Sequence, residues 1–273
     1  MTHAAHDGDA APTGAQRNRM VIAREFNRLF VAFGLDLRKT GWAIRGPPRF
    51  ARSLYTYHSF RDSVFPLRYS DLYPCLSDHS ASAGGTLGHY FHQDLWASRK
   101  IYQARPKQHI DVGSRVDGFV ASILTFMPIT LIDIRPLTSF SAGLTFVHAD
   151  ATTLDMVADA SVESLSSLHA VEHFGLGRYG DPIDPTAPFK AMQAMARVIQ
   201  PGGRLYFSVP IGRQRLQFNG QRVFSPVRVL GYLQPLKLVS FAAVDDKGTF
   251  RETANPEDYT GAHYSCGLYE FTR

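Results

Sequence analysis

Residues 109–136 read HIDVGSRVDGFVASILTFMPITLIDIRP. Ile110, Asp111 and Val112 close a short extended run. The six residues from Gly113 to Gly118 form a glycine-bounded turn. Phe119, Val120, Ile123 and Leu124 then recur at helical spacing, and Ile129, Leu131 and Ile132 form a second apolar run ending in Asp133. Strand, turn, helix and strand in this order make a βαβ unit. Glycine lets the backbone approach a ligand closely, and a helix start presents unpaired N–H groups. An acid at the tip of the second strand can accept hydrogen bonds from ribose hydroxyls, and Asp133 follows Gly113 by 20 positions, about the spacing such a unit needs. Only the outer glycines of a G-x-G-x-x-G pattern are present, so an ordinary strand–helix connection remains the alternative.

Downstream, strand and helix patterns alternate. Leu144 to Asp150 reads as a third strand ending in an acid, followed by a short helix carrying Leu154, Val157 and Ala158. Val162 to Leu168 reads as a fourth strand. After a Gly/Pro/Asp-rich loop, Phe189 to Ile199 reads as a helix stopped by Pro201-Gly202-Gly203. Leu205 to Val209 is a fifth strand, Val227 to Leu233 a helix, and Leu236–Val244 and Ser265–Thr272 two final strands. Upstream, a helix from His89 to about Arg105 precedes the first strand. It can fold over the ligand edge, where Tyr90, His92 and Gln93 could reach a ligand; the histidines read equally well as packing or capping residues.

Residues 1–16 have no periodicity and a disordered composition. Residues 17–88 form an N-terminal helical and irregular extension. Between Arg17 and Arg45 apolar residues alternate with basic ones, which suits a helix packed with a solvated basic face or a weak peripheral membrane contact. Gly46-Pro47-Pro48 breaks that pattern, and residues 77–88 read as a flexible loop. The main domain then spans 89–273.

Composition narrows the function classes. The chain of 273 residues is 44% hydrophobic and 19% charged, enough for a sizeable core. A net charge of +5 suits an anionic ligand, but no zinc-finger, RNA-recognition or helix-turn-helix signature points to nucleic acid. Cys75 and Cys266 have no metal or redox spacing, so buried thiols in a reducing compartment and no metal site are expected. No apolar run reaches the roughly 18 residues of a membrane span, and no signal-peptide core opens the chain. A cytoplasmic protein is expected.

Five βα units, a Pro-Gly-Gly turn before the fifth strand and a terminal strand pair resemble the class I S-adenosylmethionine-dependent methyltransferases over about residues 89–273. Asp111-Val112-Gly113 resembles the family's first motif, Leu168–His173 (LHAVEH) the fourth, and Arg197–Gly203 (RVIQPGG) the turn into strand five. The strings GSRVDGF, EHFGLGRYGDP and FSVPIG are most similar to an uncharacterised methyltransferase-like family. The resemblance implies a Rossmann-like, doubly wound, mostly parallel seven-stranded sheet with an antiparallel last strand. It implies S-adenosylmethionine as cofactor, held by Asp111, Gly113, Arg115, Gly118, Asp133, Ile134, Asp150, Ala151 and His169. Arg115 matches a carboxylate geometrically and could take the cofactor's methionine tail; it could equally fill the site.

The implied activity is O-methylation of a small molecule or glycan intermediate. Such an acceptor gains from a general base, and His173, after the fourth strand with Glu172 beside it, is the first candidate. His169 is the second. Glu172 and His173 could instead orient the loop. Arg178, Tyr179 and Asp181, or Arg213, Asn219 and Arg222, could shape an acceptor site for an acidic compound. Two other classes compete: a non-catalytic binding or scaffold protein, and a nicotinamide-dependent oxidoreductase. An antiparallel last strand inserted in the sheet supports the methyltransferase, and an all-parallel six-stranded sheet the oxidoreductase.

Overall fold

The computed structural model describes residues 30–31, 33–35, 37–60, 67–76, 86 and 88–273. The chain divides into two compact units, residues 1–84 and 85–273. The expected tail (1–16) and most of the alternating basic segment lie outside the described residues. In the first unit, helix α1 spans Leu37–Ser59 and runs through Pro47 and Pro48, where the sequence predicted a break. Proline's fixed φ is compatible with a helix, although each of the two forfeits one backbone hydrogen bond and crowds the carbonyl four residues back. Gly46 is buried against the backbone of Leu76, where a Cβ has no room. No helix among the described residues is long and apolar enough to cross a membrane.

The second unit opens with helix α2, His89–Ala104, and is built on one large sheet. Its strands are β1 (Ile110–Val112), β2 (Ile129–Asp133), β3 (Leu144–His148), β4 (Val162–Leu168), β5 (Ile199–Ile211), β8 (Lys237–Val244), β9 (Phe250–Arg251) and β10 (Ser265–Thr272). The spatial order is β3-β2-β1-β4-β5-β10-β8-β9. From β3 to β5 the pairings are parallel, and β10 is wedged antiparallel between β5 and β8. This is the Rossmann-like sheet with an inserted antiparallel last strand. The two-residue β9 adds an eighth strand at the edge.

Side-chain alternation builds a core on each face. Leu205, Phe207 and Val209 of β5 point into one core, together with Met192 and Met195 of helix α4 (Ala187–Val198). Tyr206 points into the other, with Trp96 and Ile101 of α2, Phe119, and Ile123 of the short helix α3 (Ala121–Leu124). Each such buried side chain contributes about 1.5–3 kcal/mol.

Three local expectations are corrected. The segment 151–161 is a chain of turns, not a helix. Leu154 sits at φ +50°, and Arg197 donates to the carbonyls of Thr153, Leu154 and Val157, bonds that hold this backbone outside a helix. Pro201-Gly202-Gly203 lies inside β5 at an irregularity in its pairing with β4, with Gly202 at φ +77°. The stretch after β5 forms a hairpin, β6 (Arg215–Gln217) and β7 (Gln221–Val223), turned through Asn219 at φ +60° and followed by helix α5 (Pro226–Tyr232).

Candidate active site

The chain reverses its direction of winding between β1 and β4, so their carboxyl ends splay apart and leave a crevice. The floor is set by Asp111, fully buried at the centre of β1. Its carboxylate accepts from the Ser114 N–H (2.9 Å), the Ser114 hydroxyl (2.7 Å) and the Ser166 hydroxyl (2.5 Å). Burial pushes the acid up to about 6, against the pull of these hydrogen bonds. The bonds tie the Gly113 loop to β1 and β4. Gly113 takes φ +72°, and a Cβ there would stand 2.9 Å from that of Ala170. A π-helical turn, Val116–Val120, follows, with Gly118 packed under Asp94 of α2.

Above this floor lies a cavity of about 350 Å³. Of the residues the sequence nominated, Gly113, Arg115, Asp133, Ile134, Asp150, Ala151, His169 and His173 line it. Asp111, Gly118 and Glu172 do not: the first is consumed by the floor, the second by packing on Asp94, and the third lies beneath the histidines. Asp133, at the tip of β2, is gripped by Arg135 through Nε (3.0 Å), Nη2 (2.5 Å) and the backbone N–H (2.8 Å). The Arg135 guanidinium lies 4.8 Å from the centre of the Tyr179 ring. Asp150 accepts from the backbone N–H and hydroxyl of Thr152. Arg115 is forked onto Asp117 and lies over Tyr90. Of the α2 trio, Tyr90 lines the cavity. Gln93 is buried and accepts from the Ser208 hydroxyl, while His92 stacks on Phe250 away from the site.

The turn after β4 gathers the histidines. His169 sits at φ +49° and its Nδ1 contacts Glu172 Oε1 at 2.6 Å. Its Nε2 meets His89 Nδ1 at 3.2 Å. Burial opposes charge on His169, but Cys266 and Glu172 outweigh it and raise the ring well above the usual histidine value. Burial, aided by His169, lowers His89 to about 4. His173 donates from Nδ1 to the Gly220 carbonyl at 2.7 Å, leaving Nε2 as an acceptor 3.8 Å from Glu172 Oε1. Burial lowers His173, with Arg178 and His169 acting in the same direction. His169 and Tyr90 also line a second, open groove with His89, Tyr264 and residues 245–248.

Two of the arginines read as acceptor contacts bond to backbone carbonyls. Arg178 donates to the Gly220 carbonyl, and Arg222 to the carbonyl of Phe174. Asp181 accepts the N–H groups of Leu176, Gly177 and Tyr179 and organises its own loop. Arg135 went unread in the sequence although it stands in the stretch that decides the fold. Ligand atoms of His89, His169 and Cys266 lie within 4.8 Å of one another.

Fold and cavity define an α/β domain with a cavity at the carboxyl edge of a Rossmann-like sheet. Residues 151–254 match the model of a family described as a Caenorhabditis protein of unknown function, DUF268. No curated protein matches in sequence. Among solved structures, the chain is similar to the 1,6-didemethyltoxoflavin-N1-methyltransferase of Burkholderia thailandensis, with bound 1,6-didemethyltoxoflavin and S-adenosylhomocysteine, at 16% identity, over 82% of this chain and 87% of that one, TM-score 0.49. It is also similar to the N-methyltransferase NodS of Bradyrhizobium japonicum, solved with S-adenosylhomocysteine, at 14% identity over 67% and 87%, TM-score 0.46.

Proposed function

We propose that the chain is an S-adenosylmethionine-dependent methyltransferase that methylates a hydroxyl of a small molecule or glycan intermediate. The observation that carries this reading is the cavity in which Gly113, Asp133 and Asp150 stand at three successive strand ends of one sheet edge. Its volume of about 350 Å³ is within the range of small-ligand pockets. Asp133 offers carboxylate oxygens to ribose hydroxyls, and Ala151 offers an apolar contact for adenine. Arg115 carries a guanidinium for the methionine carboxylate. The cofactor supplies an electrophilic methyl group on a sulfonium; the chain's own work is to hold, orient and deprotonate.

Deprotonation falls to His173. Its Nδ1–H is committed to Gly220, so Nε2 carries the lone pair, and its lowered pKa keeps it unprotonated near neutral pH. Glu172, 3.8 Å from Nε2, favours the imidazolium as it forms. A non-catalytic binding module is the second reading, and the grip of Arg135 on Asp133 favours it, because the oxygens meant for ribose are already in use.

The test is calorimetric titration of the full chain with S-adenosylmethionine and S-adenosylhomocysteine, with NAD as control, repeated on His173→Ala. Micromolar binding of the two sulfur ligands alone is expected. His173→Ala should keep that binding and lose roughly 10²–10⁴-fold in transfer to an accepted substrate. If neither sulfur ligand binds, the binding-module reading takes its place.

A further inference from the structure

We propose that His89, His169 and Cys266 form a three-ligand site for a zinc ion, with the fourth coordination position open to the groove beside the main cavity. The three residues come from the first turn of α2, the turn after β4 and the first half of β10, and their ligand atoms lie within 4.8 Å of one another. His89 Nδ1 and His169 Nε2 are 3.2 Å apart. Two imidazole nitrogens on a tetrahedral zinc, each about 2.0–2.1 Å from the metal, stand about 3.3 Å apart. The donor set is two imidazoles and one thiol with no oxygen ligand, a combination that selects zinc over magnesium or calcium.

Two further features point to a cation here. Metal-bound histidines characteristically give their second ring nitrogen to a carboxylate, which fixes the ring and its tautomer. His169 does this with Glu172 at 2.6 Å. Glu172 is 1% exposed, and its other oxygen, Oε2, has no hydrogen-bond partner. A buried carboxylate with a spare oxygen is costly unless positive charge stands nearby. Cys266 is also fully buried, with its thiol against the His169 ring and 3.8 Å from the Gly267 carbonyl. His89 begins its helix directly after Gly88 and is only partly buried, which leaves its ring room to turn its lone pair onto the ion. Tyr264, stacked on His89 at 5.0 Å, walls the groove side.

A water or acceptor hydroxyl in the fourth position would be acidified by the ion. That consequence rests on the methyltransferase reading; zinc binding itself does not. The experiment is to strip the full chain with a chelator, titrate it with zinc, and follow cobalt as a spectroscopic stand-in. About one zinc per chain is expected, with a thiolate-to-cobalt charge-transfer band in the near ultraviolet. Cys266→Ser should lose the band, and His89→Asn should weaken zinc by about 100-fold or more. Glu172→Gln should weaken it by roughly 10–100-fold. His92→Asn, on the same helix but stacked on Phe250, should change nothing. Circular dichroism checks that each variant folds. If Cys266→Ser does not fold, His89→Asn carries the test from its partly exposed position. Absence of stoichiometric zinc uptake by the wild type, or wild-type uptake by His89→Asn, overturns the site. Titrating the same samples with S-adenosylhomocysteine separates the two proposals: zinc without the sulfur ligand leaves this site standing, and the reverse removes it alone.

Discussion

Two neighbouring strands of the same sheet each carry an acid toward the ligand edge, and the two acids have opposite fates. Asp111 of β1 is sealed from solvent and holds three donors on two serines from the loop and β4. Asp133 of β2 faces the cavity and is held by one arginine whose side chain is 43% exposed. A carboxylate that is fully satisfied and buried cannot be released to a ligand without collapsing its donors. One that faces the cavity and is paired with a half-exposed guanidinium can be released when a ligand's hydroxyls replace those donors, because the arginine can turn to solvent. In the sequence both read as ligand-binding acids; what separates a framework acid from an available one is whether its donors lie in the fixed interior or on a half-exposed side chain beside the cavity.

The largest effect expected from this difference is on stability. Asp111→Ala leaves the Ser114 N–H and two hydroxyls buried without an acceptor and should cost about 3 kcal/mol, read as a lower denaturant midpoint. A loss under about 1 kcal/mol would mean the floor is not the anchor described above. The same network contains His109, buried between the Ser164 and Ser166 hydroxyls and lowered by burial to about 3. A histidine with a depressed folded pKa is unprotonated in the fold while the unfolded chain takes up a proton below about 6.5. Its contribution is therefore present above that pH and is lost as pH falls toward 3, by up to about 1.4 kcal/mol per pH unit. Asp111 has the opposite sign: raised to about 6, it stabilises the fold when protonated, and that contribution fades as pH rises from about 4 to 6. His109→Gln should flatten the acid-side loss relative to the wild type in urea melts between pH 6.5 and 4; parallel curves would show that the ring is not held neutral.

Much of the sheet was legible because apolar runs of period two and a glycine at a strand–helix junction leave marks in local sequence. β4 begins and ends where its VESLSSL pattern does. Where tertiary contacts overrode local pattern, the reading failed. Leu154 and Val157 have helical spacing, yet their backbone carbonyls are claimed by Arg197, about forty positions away. Gly118 reads as an outer glycine of a cofactor-binding turn, and Asp94 packs where its side chain would be. The direction of Arg135, two residues beyond Asp133, depends on a cavity wall that no spacing rule contains. The His89, His169 and Cys266 cluster is assembled by the strand order, with β10 returning through the middle of the sheet, so its members have no spacing to recognise.

The available acid can be tested by subtraction and by release. Asp133→Ala removes a buried carboxylate paired with a half-exposed guanidinium and one turn bond, so stability should fall by about 1–2 kcal/mol, while S-adenosylhomocysteine binding should weaken at least about ten-fold, or about 1.4 kcal/mol. Normal binding would move the ribose site elsewhere.

The smallest and sharpest effect belongs to Arg135. A ligand whose hydroxyls use Asp133 must first displace the guanidinium, and the free protein pays for that displacement out of the binding free energy. Arg135→Ala should therefore tighten S-adenosylhomocysteine by a few-fold, about 1 kcal/mol or less, while leaving Asp111 and the floor untouched. The sign decides the role. Tighter binding makes Arg135 a placeholder that keeps a buried-edge carboxylate paired until a ligand arrives. Weaker binding makes it a ligand contact in its own right, turned onto Asp133 and Tyr179 only while the cavity is empty of anything better to hold.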